Sequence, residues 1–410
     1  MKPIVVFLAL LFTFLLLNDV SAQVNVNGWL QSNYYTWENF QETQQNDFYQ
    51  GLQLRISPEK YSNLYANTFL RVARRGDPAD WEERIYNLYA HWGIGSNYKL
   101  RVGRQFVYHG VVNGTLDAVQ LSGRFLGRLD FSLVGGTEAT VNRNAKIRDW
   151  DNGNVLGGYL SYRFTGRNNI DISYFQKERW SELYWQQVGS TLHGSLSSRL
   201  RYYLRFDYNL LKENYQTLRW RLSYFHDSWS LTAEYNSQRP RIFEDSFFNI
   251  FQINPFNQIR TAFQFRIKNY DVGLQLLHTV YDVTEIFTIY KSSSGETDDM
   301  DLRLIGTVGH RRFGSFGLVY QNGYGGNNIG YFADIRYAIL PRLTIRLFNS
   351  YYNYERATVN ISEDALSFMG GLGYKLKPQL LLEGEIQQSS NNFYENDLRG
   401  LVRVTYRFNM

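Results

Sequence analysis

The sequence predicts an all-β chain: a transmembrane antiparallel β-barrel of about 22 strands, with roughly 18 to 22 as the range, preceded by a cleaved signal peptide. Three observations carry this. Apolar and polar residues alternate one by one along segment after segment, and no long window has helical periodicity. The segments run to about 10–14 residues, the length that crosses a bilayer at a tilt. Connections are tight at one end of successive segments and longer at the other. The same geometry reconciles two features of the 410-residue chain, its 17% aromatic content and its mean hydropathy of −0.40.

Composition excludes other classes. A polytopic helical protein needs repeated apolar stretches of about 20 residues, and a disulfide scaffold or Cys-based metal site needs the cysteine this chain lacks. The 32 Tyr, 28 Phe and 9 Trp supply too much apolar surface for disorder. The N-terminus is the exception to the alternation. Met1-Lys2-Pro3 is basic, Ile4 to Leu17 is almost wholly apolar, and Val20-Ser21-Ala22 has the small residues of a cleavage site. At 1.5 Å per residue the apolar run reaches only about 21 Å, short of a hydrocarbon core of about 30 Å. Residues 1–22 are therefore expected to be a Sec signal peptide, and 23–410 the barrel domain.

The strands are expected to begin near Val24, Phe48, Leu64, Ile85, Tyr98, Thr115, Gly127, Val155, Asn169, Tyr184, Arg199, Tyr215, Trp229, Ile259, Tyr270, Met300, Phe313, Ile329, Arg342, Ala365, Gln379 and Glu395. The clearest alternation sets Leu200, Tyr202, Leu204, Phe206 and Tyr208 against Arg201, Tyr203, Arg205, Asp207 and Asn209. It recurs with Leu218, Trp220 and Leu222 against Arg219, Arg221 and Ser223, and with Ile259, Phe263 and Phe265 against Arg260, Gln264 and Arg266. Alternation alone also suits a soluble sandwich, so the connections decide. Tight turns such as Ser57-Pro58-Glu59-Lys60, Lys268-Asn269 and Leu340-Pro341 follow even-numbered strands. Longer ones follow odd-numbered strands, at Arg75–Glu83, Thr137–Gly153, Arg239–Asn257 and Tyr281–Asp299. An even strand count puts both termini on the short-turn, periplasmic rim. Strand-end aromatics at Tyr34, Tyr35, Trp37, Trp92, Tyr351, Tyr352, Tyr354 and Phe408 fit headgroup-level girdles.

In the last segment Val402, Val404, Tyr406 and Phe408 alternate with Arg403, Thr405 and Arg407. This resembles the C-terminal strand of bacterial outer-membrane β-barrels, which implies an outer-membrane address in a Gram-negative-type bacterium and recognition by the barrel-assembly machinery through the strand ending at Phe408. That family ends on the aromatic itself, whereas Asn409-Met410 follow here. Closure in lipid requires the first strand to pair with this last one.

Arg84-Ile85-Tyr86-Asn87-Leu88-Tyr89-Ala90, then Leu100-Arg101-Val102-Gly103-Arg104-Gln105, then Gly114-Thr115-Leu116-Asp117-Ala118-Val119 is similar to part of porin-like barrels of the alginate-export type. The resemblance covers residues 84–121 and implies a passive diffusion channel in which Gly103, Arg104 and Asp117 shape the wall or a constriction. The residues by themselves equally allow Gly103 to thin the wall while Arg104 and Asp117 tie adjacent strands.

If the apolar rows meet lipid, the complementary rows line the lumen. They carry Arg71, Arg101, Arg201, Arg205, Arg219, Arg260, Arg266, Arg346, Arg399 and Arg403, with fewer acids, among them Asp207, Glu234, Asp334, Glu383 and Glu385. Surplus inward arginine favours anions, and Arg outnumbers Lys 33 to 10, which suits bidentate contact with carboxylate or phosphate. Pairing of the arginines with cross-strand acids is the competing reading.

The apolar loop Arg239–Asn257 is expected to constrict or cap the barrel, and the Glu296-Thr297-Asp298-Asp299 run to be a solvated loop rather than a calcium site. His193-Gly194-Ser195 resembles the His-x-Ser pair of outer-membrane phospholipases, but Leu196-Ser197 stand where that family has Asn-Gly. No catalytic, metal or cofactor site is expected, nor nucleic-acid binding, since a charged lumen and lipopolysaccharide account for the pI near 9.0. The expected function is a channel for small anionic or sugar-acid solutes, with lipid, lipopolysaccharide and the solute as partners. The alternatives are a non-conducting barrel scaffolding secretion or envelope assembly and, remotely, a barrel phospholipase.

Overall fold

The computed structural model describes residues 24–39, 43–61, 63–75, 80–239, 255–282, 300–323, 326–356, 361–392 and 394–409. Residues 1–22, expected to be a signal peptide, the middle of the apolar 239–257 loop and the Glu296–Asp299 run lie outside them.

The first half of the chain forms β1 (Val24–Glu38), β2 (Gln44–Pro58), β3 (Leu64–Arg75), β4 (Asp80–Ile94), β5 (Tyr98–His109), β6 (Val112–Phe125), β7 (Leu129–Glu138), β8 (Asn154–Thr165), β9 (Asn168–Arg179), β10 (Glu182–Ser195) and β11 (Leu200–Asn209). The second half forms β12 (Asn214–Phe225), β13 (Trp229–Gln238), β14 (Phe256–Ile267), β15 (Tyr270–Tyr281), β16 (Met300–His310), β17 (Gly314–Gly323), β18 (Asn327–Leu340), β19 (Leu343–Arg356), β20 (Ile361–Lys377), β21 (Leu380–Asn391) and β22 (Tyr394–Asn409). Among the described residues these make one 22-stranded antiparallel sheet. Every strand start lies within five residues of the position that alternation predicts.

The sheet closes on itself. β22 pairs with β1 from Asn27↔Asn409 to Thr36↔Gly400, so no strand edge is left open there. Gly28 stands opposite Phe408, and a side chain on Gly28 would meet the Phe408 ring at 2.9 Å. The missing side chain lets that ring lie across the seam.

Burial runs opposite to that of a soluble sheet. Leu204 and Phe206 are 45% and 43% exposed, whereas Asp207 and Asn209 on the alternate row are 1% and 0% exposed. Val102, Leu133, Trp220, Ile259, Leu318 and Leu372 are likewise exposed on the outer surface. A closed wall with an apolar outside and a polar inside is a membrane-spanning barrel.

Two expectations are corrected. The long-connection rim is mixed, because β4 already begins at Asp80 and the connections at Gly110-Val111 and Trp180-Ser181 are tight. The aromatic girdle is thinner as well. Tyr34 and Trp92 are exposed on the outside, but Tyr35 and Trp37, on the pleat face opposite Tyr34, face inward, where the Trp37 indole donates to Asp47 at 3.3 Å. Successive residues on a strand cannot share a face, so adjacent aromatics divide between lipid and lumen.

Seam closure sets one expected outcome. Deleting Phe408-Asn409-Met410, or replacing Gly28 with Leu, should lower the fraction of heat-modifiable folded barrel on electrophoresis; the same folded fraction as the native chain would show that the seam does not depend on this contact.

Candidate functional site

The closed sheet is not paired along the full length of every strand. β5 pairs with β4 only between Ile94↔Tyr98 and Leu88↔Arg104, and β6 pairs with β7 only between Phe125↔Leu129 and Leu116↔Glu138. Beyond those points β5 and β6 pair only with each other, up to His109↔Val112. The hairpin tip leaves the wall and folds into the lumen. Gly103 sits at the departure point with φ of +122°, a conformation other residues rarely adopt, and a side chain there would press on the β4 backbone.

Apolar packing holds the hairpin inside. Val107, Val111, Val112 and Leu116 cluster with Val134, Val155, Phe175 and Trp185 of the inner wall. In a wet lumen each such side chain contributes roughly 2 kcal/mol. Gly157 and Gly189 make room, since a side chain at Gly157 would meet Val112 at 3.0 Å and one at Gly189 would meet Val111 at 2.5 Å. Polar contacts secure the tip: the Val111 N–H donates to Ser173 Oγ at 3.0 Å, and Arg205 Nη2 donates to the Gly110 carbonyl at 3.2 Å. Phe106 and Tyr108 alternate with the packed residues and remain exposed on the hairpin's other face.

The connection between β7 and β8 closes the gap that the hairpin leaves. The Ile85 N–H on the bared edge of β4 donates to the Arg143 carbonyl at 2.7 Å, and the Ala139 N–H donates to Thr115 O at 3.0 Å. Glu138 anchors the base through Lys177 at 2.7 Å, Arg179 at 3.1 Å and Arg148 at 3.8 Å. Arg104 and Asp117 lie at the branch point rather than on the open lumen. Their bidentate pair, 2.8 Å in both bonds, is buried, and Arg104 also donates to the Asn144 and Lys146 carbonyls.

The other predicted residues divide by partner. Arg205 bonds Asp207, Arg219 bonds Glu234 at 2.8 Å, and Arg399 bonds Asp397 at 2.6 Å. Arg346 lies 3.6 Å from Asp334 and 4.0 Å from Glu385, and Arg403 lies 3.5 Å from Glu383. Arg266 belongs to the short-turn mouth, where it pairs with Asp271 and both are half-exposed. The remaining four pair with rings or neutral groups. Arg71 lies 4.3 Å from the Tyr49 ring centre, Arg101 5.5 Å from Tyr89, and Arg201 4.8 Å from Phe225, while Arg260 donates to Gln275 at 2.9 Å. Arg201 and Arg260 share with Arg221 and His193 a lumenal recess of about 550 Å³.

Sequence reasoning singled out Gly103, Arg104 and Asp117 as a wall or constriction motif but missed that the hairpin folds inward; the constriction or cap expected at 239–257 falls largely outside the described residues. The hairpin's signal was present: Phe106-Val107-Tyr108 is apolar on both pleat faces, and the inward positions Leu116, Ala118, Val134 and Val155 break the apolar-out, polar-in rule. For the His-x-Ser pair, the His193 imidazole bonds Asn169 at 3.1 Å and lies 3.5 Å from Asp171, and no bond to Ser195 forms. Among the described residues no cluster of three or more His, Asp or Glu could hold a metal ion.

No protein-family model matches the chain, and no curated protein matches it in sequence. The alginate-export resemblance therefore stands on residues 84–121 alone. Among solved structures the chain is similar to Pseudomonas aeruginosa OpdK with vanillate, at 11% identity over 94% of this chain and 99% of that one, with a TM-score of 0.44. It is also similar to Acinetobacter baumannii OccAB3, at 12% identity, 94% and 99% coverage and a TM-score of 0.46. Pseudomonas aeruginosa OccK2 (OpdF) gives 11% identity, 94% and 98% coverage and a TM-score of 0.46.

The branch-point ion pair is testable. Arg104→Gln strands a buried carboxylate and should destabilise the barrel by about 3–5 kcal/mol, read as a lower urea midpoint in detergent. A midpoint equal to the native one would mean that water reaches Asp117.

Proposed function

We propose that the protein is an outer-membrane channel for passive diffusion of small anionic solutes, its lumen narrowed by the β5–β6 hairpin. The observation that carries this reading is that, among the described residues, Arg71, Arg101, Arg201 and Arg260 contact rings or an amide and form no ion pair with a carboxylate, which leaves their positive charge to act on a solute. Inward arginines paired with acids neutralise their own charge and contribute chiefly to rigidity. Sugar acids and other small carboxylates fit the forked donors of arginine better than they fit a lysine point charge.

In this reading residues 1–22 direct export and are then removed, the apolar belt contacts lipid and lipopolysaccharide, and the strand ending at Phe408 engages the assembly machinery. The alternative, a non-conducting scaffold, is favoured by one feature, the dry apolar packing that fixes the hairpin inside the barrel.

Purified protein in a planar bilayer separates the two. Conductance steps with a reversal potential toward anions are expected, and Arg201→Gln combined with Arg260→Gln should move that potential toward cations. A silent bilayer would sink the channel, and cation preference in the native protein would sink the anion reading alone. Gly189→Leu removes the space for Val111 and should increase single-channel conductance; unchanged steps would show that the hairpin does not limit flow.

A further inference from the structure

We infer that the outer surface of the barrel at the β5–β6 branch point holds the acyl chain of one membrane lipid, which completes the wall where the hairpin has left it. This depends on the barrel lying in a membrane and not on what its lumen carries.

A groove of about 500 Å³ opens there on the lipid-facing side. Leu88 of β4, Val102 of β5 and Val119 of β6 form its strand wall, each half-exposed. Ile147 and Trp150 of the β7–β8 connection form the other wall and are 64% and 55% exposed. The space between them exists because the outer apolar row is interrupted. In the register Val119 stands opposite Gly135, and Gly135 opposite Leu156, so β7 contributes no side chain at that level. A side chain on Gly135 would meet Leu156 at 3.4 Å, an ordinary contact. The backbone there does not require glycine, and the notch is what its missing side chain provides.

The groove suits an apolar chain and not an acid. Its two charged side chains, Arg104 and Asp117, are 4% and 7% exposed and bond each other, and Arg104 also donates to the Asn144 and Lys146 carbonyls. The connection likewise bonds within itself: the Arg143 N–H donates to the Thr140 carbonyl at 2.8 Å, and the Lys146 N–H to Asn144 Oδ1 at 3.2 Å. Irregular backbone beside hydrocarbon persists only with such internal partners. The face it turns outward through Ile147 and Trp150 is therefore apolar.

Continuity decides between lipid and protein. The apolar surface runs on past the groove at Leu133, Leu156 and Leu160, all exposed, as a surface in contact with hydrocarbon does. A protein partner would need a bounded patch with a polar rim, about 800 Å² on each side. A notch that opens into a lipid-facing belt takes a chain instead. Seated there, the chain keeps water from the Arg104–Asp117 pair, so one lipid becomes part of the wall that fixes the hairpin.

Native mass spectrometry tests this on barrel released in mild detergent from vesicles of dimyristoyl phosphatidylethanolamine or dimyristoyl phosphatidylglycerol. One retained lipid per barrel is expected with either head group. Gly135→Leu fills the notch and should lower the lipid-bound fraction about tenfold, the equivalent of losing contact with about two methylenes. Trp150→Ala removes the far wall and should act in the same direction with every strand untouched; it decides alone if Gly135→Leu does not fold. Gly158→Leu adds the same side chain to β8 opposite Leu133, away from the groove, and should leave retention unchanged. No retained lipid, retention that survives these two groove variants, or equal loss in Gly158→Leu would overturn the proposal. So would retention of one head group alone, or a second copy of the chain in place of the lipid. Retention is read without conduction, so a silent bilayer leaves this site standing, whereas a conducting barrel without retained lipid loses this site alone.

Discussion

Backbone hydrogen bonding inside a lipid layer governs this molecule. An unpaired N–H or C=O in hydrocarbon costs several kcal/mol, so each strand must find a partner on both sides. The β1–β22 register is one consequence. A less obvious one appears where β5 and β6 leave the wall. Their departure bares the upper edge of β4, and the β7–β8 connection supplies the missing acceptor through the Arg143 carbonyl. The lumenal hairpin and the surrogate wall segment are therefore coupled, since the edge that one bares finds a partner in the other.

Arg104 and Asp117 sit where the hairpin and that segment part. Both are buried, and a lone charge there would be costly, so the pair and the two loop carbonyls that Arg104 holds make the loop's position depend on the hairpin's. The glycines that accompany them work in the same direction. Gly103 permits the turn away from β4, while Gly157 and Gly189 leave the inner wall thin where Val112 and Val111 rest.

The interior is also uneven in charge. Over much of the wall an arginine faces an acid one pleat away, as Arg219 does Glu234, which fixes side chains and cancels field. At two positions on β2 and β3 the partner is a ring instead: Arg55 lies over Tyr65 at 3.9 Å, and Arg71 lies over Tyr49. A ring orients a guanidinium without neutralising it.

Strand number, strand starts and the closing of the first strand on the last were legible in the sequence because they depend on a period of two and on the cost of an open edge, both local or universal. Which residues share the face opposite the exposed apolar row was legible for the same reason. What each lumenal arginine does was not: Arg205 and Arg201 occupy equivalent positions in one alternating run, yet one pins the hairpin tip and the other lies on Phe225. The 239–257 segment drew attention by its apolarity, while the hairpin hid inside an ordinary strand–turn–strand pattern. Alternation specifies which face a residue occupies, but not whether the strand stays in the wall. Only the tertiary structure decided that, because leaving the wall depends on space at Gly157 and Gly189, far along the chain, and on a loop able to take the vacated place.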